Sequence, residues 1–141
     1  MKTAYSEQTG KEMYQNLGKL FYAVAMADRA VHISELEKLK SAVRENWLEV
    51  DDIEDDYGTD AAFQIEIVFD WLLEYEKSSK ESYEEFKTFY KDHQRAFSPK
   101  MKQLITRTAH SIAASFAGKN KSELIILAKL DLLLKSDEQD L

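Results

Sequence analysis

Carboxylates are the residues of this sequence whose spacing invites chemistry. Asp28 and Glu35 flank a short turn. The segment LEVDDIEDDYGTD then gathers Glu49, Asp51, Asp52, Glu54, Asp55, Asp56 and Asp60, and Glu66, Asp70 and Glu74 recur at every fourth position after it. Oxygen-rich runs suit hard cations, and an EF-hand is the first arrangement to compare. Started at Asp52, the loop has acids at its first, third and fifth places, but Tyr57 stands where the turn needs Gly and Phe63 where the last ligand should be Glu. The run therefore reads as a solvated acidic loop over residues 50–60. Glu66, Asp70 and Glu74 read as one exposed helix edge, because carboxylates are seldom buried unpaired, with a carboxylate cluster aimed at a site as the competing reading.

Other chemistries find little support. His32, His93 and His110 stand on or near separate elements, with no His-x-x-x-His or Glu-x-x-His spacing, so helical zinc and di-iron sites are not expected. Cysteine is absent, which excludes disulfides, thiolate metal sites and cysteine nucleophiles. No Gly-rich phosphate loop and no Ser in a nucleophile elbow occurs. The expectation is that the protein is not an enzyme.

The carboxylates must be positioned by helices. Met13, Leu17, Leu20, Phe21, Val24 and Met26 give the apolar stripe of a first helix from about Gly10 to Ala27, after a polar arm of residues 1–9. Asp28 sits where that helix stops. A second helix runs from Ile33 to Val50 with Leu36, Leu39, Val43 and Trp47 on one face. Two registers compete for its start. One makes His32 the N-cap, with Glu35 at N3 and a Val31–Leu36 staple; the other makes Ser34 the cap with Glu37 at N3, but puts Lys38 where the staple needs an apolar partner. The first is preferred.

Thr59 or Asp60 is expected to cap a third helix, AAFQIEIVFDWLLEYE, apolar on most sides and hence the expected central helix. KSSKES leads to a fourth helix from Tyr83 to Ala96, with a Ser82–Glu85 capping box and Tyr83, Phe86, Tyr90 and His93 inward. Ser98-Pro99 starts a fifth helix that buries Met101, Leu104, Ile105, Ala109, Ile112 and Phe116 and closes at Gly118. Asn120 and Glu123 open a last helix. Leu124 to Leu134 is apolar except for Lys129 and Asp131, so burial of most of it is expected, with a frayed tail over residues 136–141.

The run Ala27, Asp28, Val31, Glu35, Leu36 and Leu39 resembles the Ala-Asp-Gly-x-Val-x-x-x-Glu-hydrophobic signature of TerB-like (tellurite-resistance protein B-like) domains, with Arg29 in place of the signature Gly. The resemblance covers about 25 residues closely. It implies an all-helical fold of two related helix–turn–helix halves, a stress-response role and divalent-cation binding. The ligands would be Asp28 and Glu35, helped by the backbone carbonyls of Arg29 to Val31. Oxygen ligands without thiol or imidazole partners favour calcium or magnesium over zinc. A short internal echo agrees with two halves: His32, Glu35, Leu36 and Leu39 align at constant offset with Asn120, Glu123, Leu124 and Leu127.

Composition bounds what remains. The 141 residues are 44% hydrophobic, enough for a single domain with its own core, and one Pro with four Gly favours helices. A formal net charge of −7 argues against nucleic acid or an anionic membrane as partner. The N-terminal MKTAYSEQTGKE lacks the apolar core of a signal peptide, and no apolar run reaches the roughly 20 residues of a membrane span, so a cytoplasmic location is expected. Three functions stay open: a divalent-cation-binding stress domain, a metal-free module that docks another protein, and an enzyme with an unrecognised site. In all, the sequence specifies an all-α domain of about six helices.

Overall fold

The structure is a computed structural model that describes residues 7–27, 33–47, 55–115 and 121–139. Over these residues all regular structure is helical, with no strand. α1 (Glu7–Ala25), α2 (Ile33–Trp47), α3 (Asp55–Glu74) and α4 (Ser79–Asp92) precede a single 3₁₀ turn (Gln94–Ala96), and α5 (Pro99–Ser115) and α6 (Lys121–Gln139) follow. The six expected helices are present.

The centre of the bundle is α1, not α3. It packs against α3, α4, α5 and α6, while α2 packs against α3 and α5. Residues Leu20 to Ala25 are all buried, because an unbroken run of apolar and small side chains meets neighbours on every side. Gly18 lets α3 come close: a Cβ there would lie 2.9 Å from Val68 Cβ and 3.1 Å from the Ile65 carbonyl oxygen. In the second half of α3, from residue 64 on, the stripe of Ile65, Phe69 and Leu72 is buried, and Ile67 and Trp71 face water. Apolar residues all round a helix predict a central place only when enough neighbours exist to cover them, and α3 has its main contacts with α1 and α2 alone.

Several boundaries differ from the sequence reading for local reasons. The N-terminal arm is shorter, with α1 starting at Glu7. The acidic segment expected as a loop over residues 50–60 is helical from Asp55, so Thr59 and Asp60 lie inside α3 and do not cap it. Acidic residues favour the positive end of a helix dipole, which offsets the cost of about 1 kcal/mol for Gly58 in the interior. α4 starts at Ser79, and its cap is Ser78, whose Oγ accepts the Glu81 N–H at 3.0 Å. Ser82, expected as the cap, is a buried residue within the helix. The Ser98 cap holds: its Oγ accepts the Met101 N–H at 3.1 Å. α2 begins at Ile33, the boundary of the His32 register, although His32 itself lies outside the described residues, as do Phe116, Gly118 and Asn120.

The last helix is amphipathic. Ile126, Leu127, Leu130, Leu133 and Leu134 are buried, but Leu124, Ile125 and Leu132 are exposed. The continuous leucine-rich run on its own suggests burial of most of the helix. It packs on α5 and, more lightly, α1, so one side stays open. The helix continues to Gln139, through most of the tail expected to fray. Leu39 and Leu127, which correspond in the internal echo, are both buried, whereas Leu124 is not.

Candidate functional site

The acidic stripe of α3 has partners that its own spacing does not reveal. Lys40 and Arg44 are one helical turn apart on α2, matching Asp70 and Glu66 on the antiparallel α3. Arg44 forks onto Glu66 with Nη2–Oε1 at 2.9 Å and Nε–Oε2 at 3.0 Å, and Lys40 Nζ lies 3.1 Å from Asp70 Oδ1. Such pairs contribute at most about 1 kcal/mol each, and their larger effect is to fix the register of the two helices. Glu74, the third residue of the stripe, is exposed and has no ion pair among the described residues. The stripe is thus neither a buried cluster nor a plain solvated edge.

Beside it runs an apolar stripe. Ile67, Trp71 and Tyr75 follow one another at intervals of four and are 46%, 49% and 61% exposed. The Trp71 and Tyr75 rings lie 4.9 Å apart, and Lys77 Nζ sits 5.8 Å from the Trp71 ring centre. Large aromatic side chains left in water at this spacing are unusual for a face with no partner, and such patches mark interaction surfaces. The sequence carried the signal: two apolar stripes on one helix, of which the fold can cover only one.

Around the end of α3 lies an open cleft of about 690 Å³, between the ends of α1 and α3, the start of α4 and the middle of α6. Met26, Leu73, Ile125 and Ile126 give it an apolar wall, and Lys80, Glu84 and Lys129 stand at its rim. Its frame is tightly bonded. The Glu76 and Lys77 N–H groups donate to the Leu73 and Leu72 carbonyls, both at 3.1 Å, closing α3 with a Schellman turn. Tyr22 Oη donates to the Lys77 carbonyl at 2.9 Å, with the Leu72 carbonyl at 3.3 Å as a weaker second acceptor. Ser79 Oγ donates to the Ala23 carbonyl at 2.7 Å, satisfying an acceptor near the end of α1.

The phenols of this cleft are held protonated. Burial, with a smaller contribution from the Glu76 charge, raises the Tyr22 pKa above its ordinary value, and burial together with Glu84 pushes Tyr83 up to about 12. A phenol is protonated at neutral pH in any case, so the shift acts only in alkaline solution, where it lets Tyr22 Oη keep donating to the Lys77 carbonyl. Among the described residues the cleft lining offers hydrogen-bond donors, acceptors and apolar surface.

Glu76 takes a left-handed backbone with φ 52°, the conformation that favours Gly. Glu76→Gly is expected to stabilise the fold by up to about 1 kcal/mol, measured by urea unfolding, since the Schellman hydrogen bonds do not involve the side chain.

Of the two candidate cation ligands, Asp28 lies outside the described residues. Glu35 lies in the first turn of α2, and its side chain is likewise outside them. Among the described residues no group of three or more His, Asp or Glu side chains is placed to share a metal ion. His93 is occupied locally: its Nδ1 donates to the Phe89 carbonyl at 3.0 Å and its ring stacks on Phe89 at 4.2 Å. No described helix is long and apolar enough to cross a membrane. No protein-family model, curated protein or solved structure matches the chain.

Proposed function

We propose that this chain is a metal-free protein–protein interaction module that docks its partner along the outer face of α3. The observation that carries the reading is the exposed stripe of Ile67 and Trp71 on α3 and Tyr75 just past its end, opposite the buried Ile65, Phe69 and Leu72. Helix-in-groove and helix-on-helix recognition uses apolar anchors at this spacing, and Trp and Tyr are the residues that most often dominate such contacts. The ion pairs with α2 hold α3 in register and so keep the stripe presented. The test is affinity capture from an extract of the source cells with the wild-type chain and with Ile67→Ser/Trp71→Ser/Tyr75→Ser. A partner retained by the wild type and lost from the variant supports the reading. Identical capture by both overturns it.

A second reading is a TerB-like stress-response domain whose Asp28 and Glu35 carboxylates bind calcium or magnesium. It is favoured by the start of α2 at Ile33, which sets Glu35 in the first turn of that helix, seven residues after Asp28 in the sequence. A cation bound only by the native state raises the melting temperature as its concentration rises. On this reading excess calcium stabilises the wild type over a chelated sample, and Asp28→Asn and Glu35→Ala each abolish that difference. If instead Glu35 only caps the helix, Glu35→Ala costs about 1 kcal/mol with or without calcium, Asp28→Asn is neutral, and the wild type melts at one temperature in both conditions.

A further inference from the structure

The chemistry of the partner follows from the charge of the same helix, and the inference rests on the interaction reading above. α3 contains Asp55, Asp56, Asp60, Glu66, Asp70 and Glu74 and no Lys or Arg. With a net charge of −7 for the whole chain, this helix accounts for nearly all of the imbalance and leaves the rest close to neutral. Beside the stripe itself, Arg44 and Lys40 of α2 answer Glu66 and Asp70, while Glu74 and Glu76 are exposed with no ion pair among the described residues, so the open charge at the aromatic end is negative. Lys40 reaches Asp70 from α2, yet the Asp70 side chain stays 55% exposed, and Glu74 is open beside Trp71 and Tyr75. Lys77 is the cation found at the aromatic end, and it already uses the Trp71 ring as a cation–π platform while lying 3.9 Å from Glu81.

We infer that the segment docked on α3 is a basic amphipathic helix, its apolar residues laid on Ile67, Trp71 and Tyr75 and its Lys or Arg side chains reaching Asp70, Glu74 and the aromatic rings. The three anchors span about 12 Å, eight steps at the helical rise, so a little over two turns of partner helix, about eight or nine residues, cover them. Opposite charge steers such a segment to this face and disfavours acidic ones. The other open stripe, Leu124, Ala128 and Leu132 of α6, has no aromatic anchor and carries Lys129 and Lys135 against the single Asp131, so it does not favour a basic segment.

Isothermal titration of the full chain with three synthetic 18-residue peptides tests this: a Leu/Lys amphipathic helix, its Leu/Glu counterpart, and a Ser/Lys peptide of the same charge as the first. The Leu/Lys peptide is expected to bind at least tenfold tighter than either of the others. Ile67→Ser/Trp71→Ser should weaken it at least tenfold. Glu74→Lys, a change at a residue with no ion pair among the described residues, should weaken it severalfold. Equal or tighter binding of the Leu/Glu peptide overturns the inference, as does Leu/Lys binding that ignores the Ile67 and Trp71 changes, or self-association of the chain that closes the face to all three peptides. If the Leu/Glu peptide wins while stripe dependence persists, the interaction face stands and only its charge preference falls. If no peptide binds and captured partners ignore the stripe, both fail.

Discussion

Phe69→Ala is expected to lower stability by about 3–5 kcal/mol, while Trp71→Ala, two residues along the same helix, changes it by less than about 0.5 kcal/mol. Phe69 is fully buried in the core that α3 forms with α1, so truncation removes an aromatic side chain and leaves a cavity that the tightly packed α1 cannot collapse into. Trp71 is 49% exposed, and its contacts with Tyr75 and Lys77 are with other surface groups. A tryptophan usually outweighs a phenylalanine as a core residue, so the order of the two effects is informative. Chemical unfolding followed by circular dichroism measures both. A loss at Trp71 comparable to that at Phe69 would mean that the outer face of α3 is covered.

Gly18→Ala should destabilise by about 1–3 kcal/mol, although Ala is the better helix former by about 1 kcal/mol. The sign is decided by what the new methyl meets. Val68 Cβ at 2.9 Å is attached directly to the α3 backbone and cannot rotate away, and the Ile65 carbonyl at 3.1 Å is backbone itself. α1 and α3 must move apart to admit the methyl, loosening the most extensive helix–helix contact of the bundle together with that of α4. An increase in the urea midpoint for Gly18→Ala would show that the two helices are not this close.

The helices were legible because caps and periodicity are local. Ser98-Pro99 marked the start of α5, and the apolar stripe of Met13 to Val24 marked α1, since backbone geometry alone dictates both signals. The centre of the bundle was not legible. α3 has the more continuous apolar composition, but which helix is surrounded depends on the packing of four others, and Gly18 reveals its role only when Val68 stands opposite. The same limit applies to the carboxylates. Glu66 and Asp70 were visible as a stripe, yet their pairing with Arg44 and Lys40 depends on the antiparallel register of two helices. The cleft beneath Tyr22 draws on four elements and leaves no sequence pattern. Ser82 shows a local rule failing: Ser78 and Glu81 offered an equally good start one turn earlier, and the cap there let Ser82 be buried.

The account stands on α3 presenting an apolar face that folding does not use. The melting temperature of Ile67→Ser/Trp71→Ser/Tyr75→Ser tests this most directly, because it separates a surface kept for a partner from a surface kept for the core. The prediction is a melting temperature within about 3 °C of the wild type, equivalent to less than about 1 kcal/mol across all three changes. A fall of about 10 °C or more would contradict it.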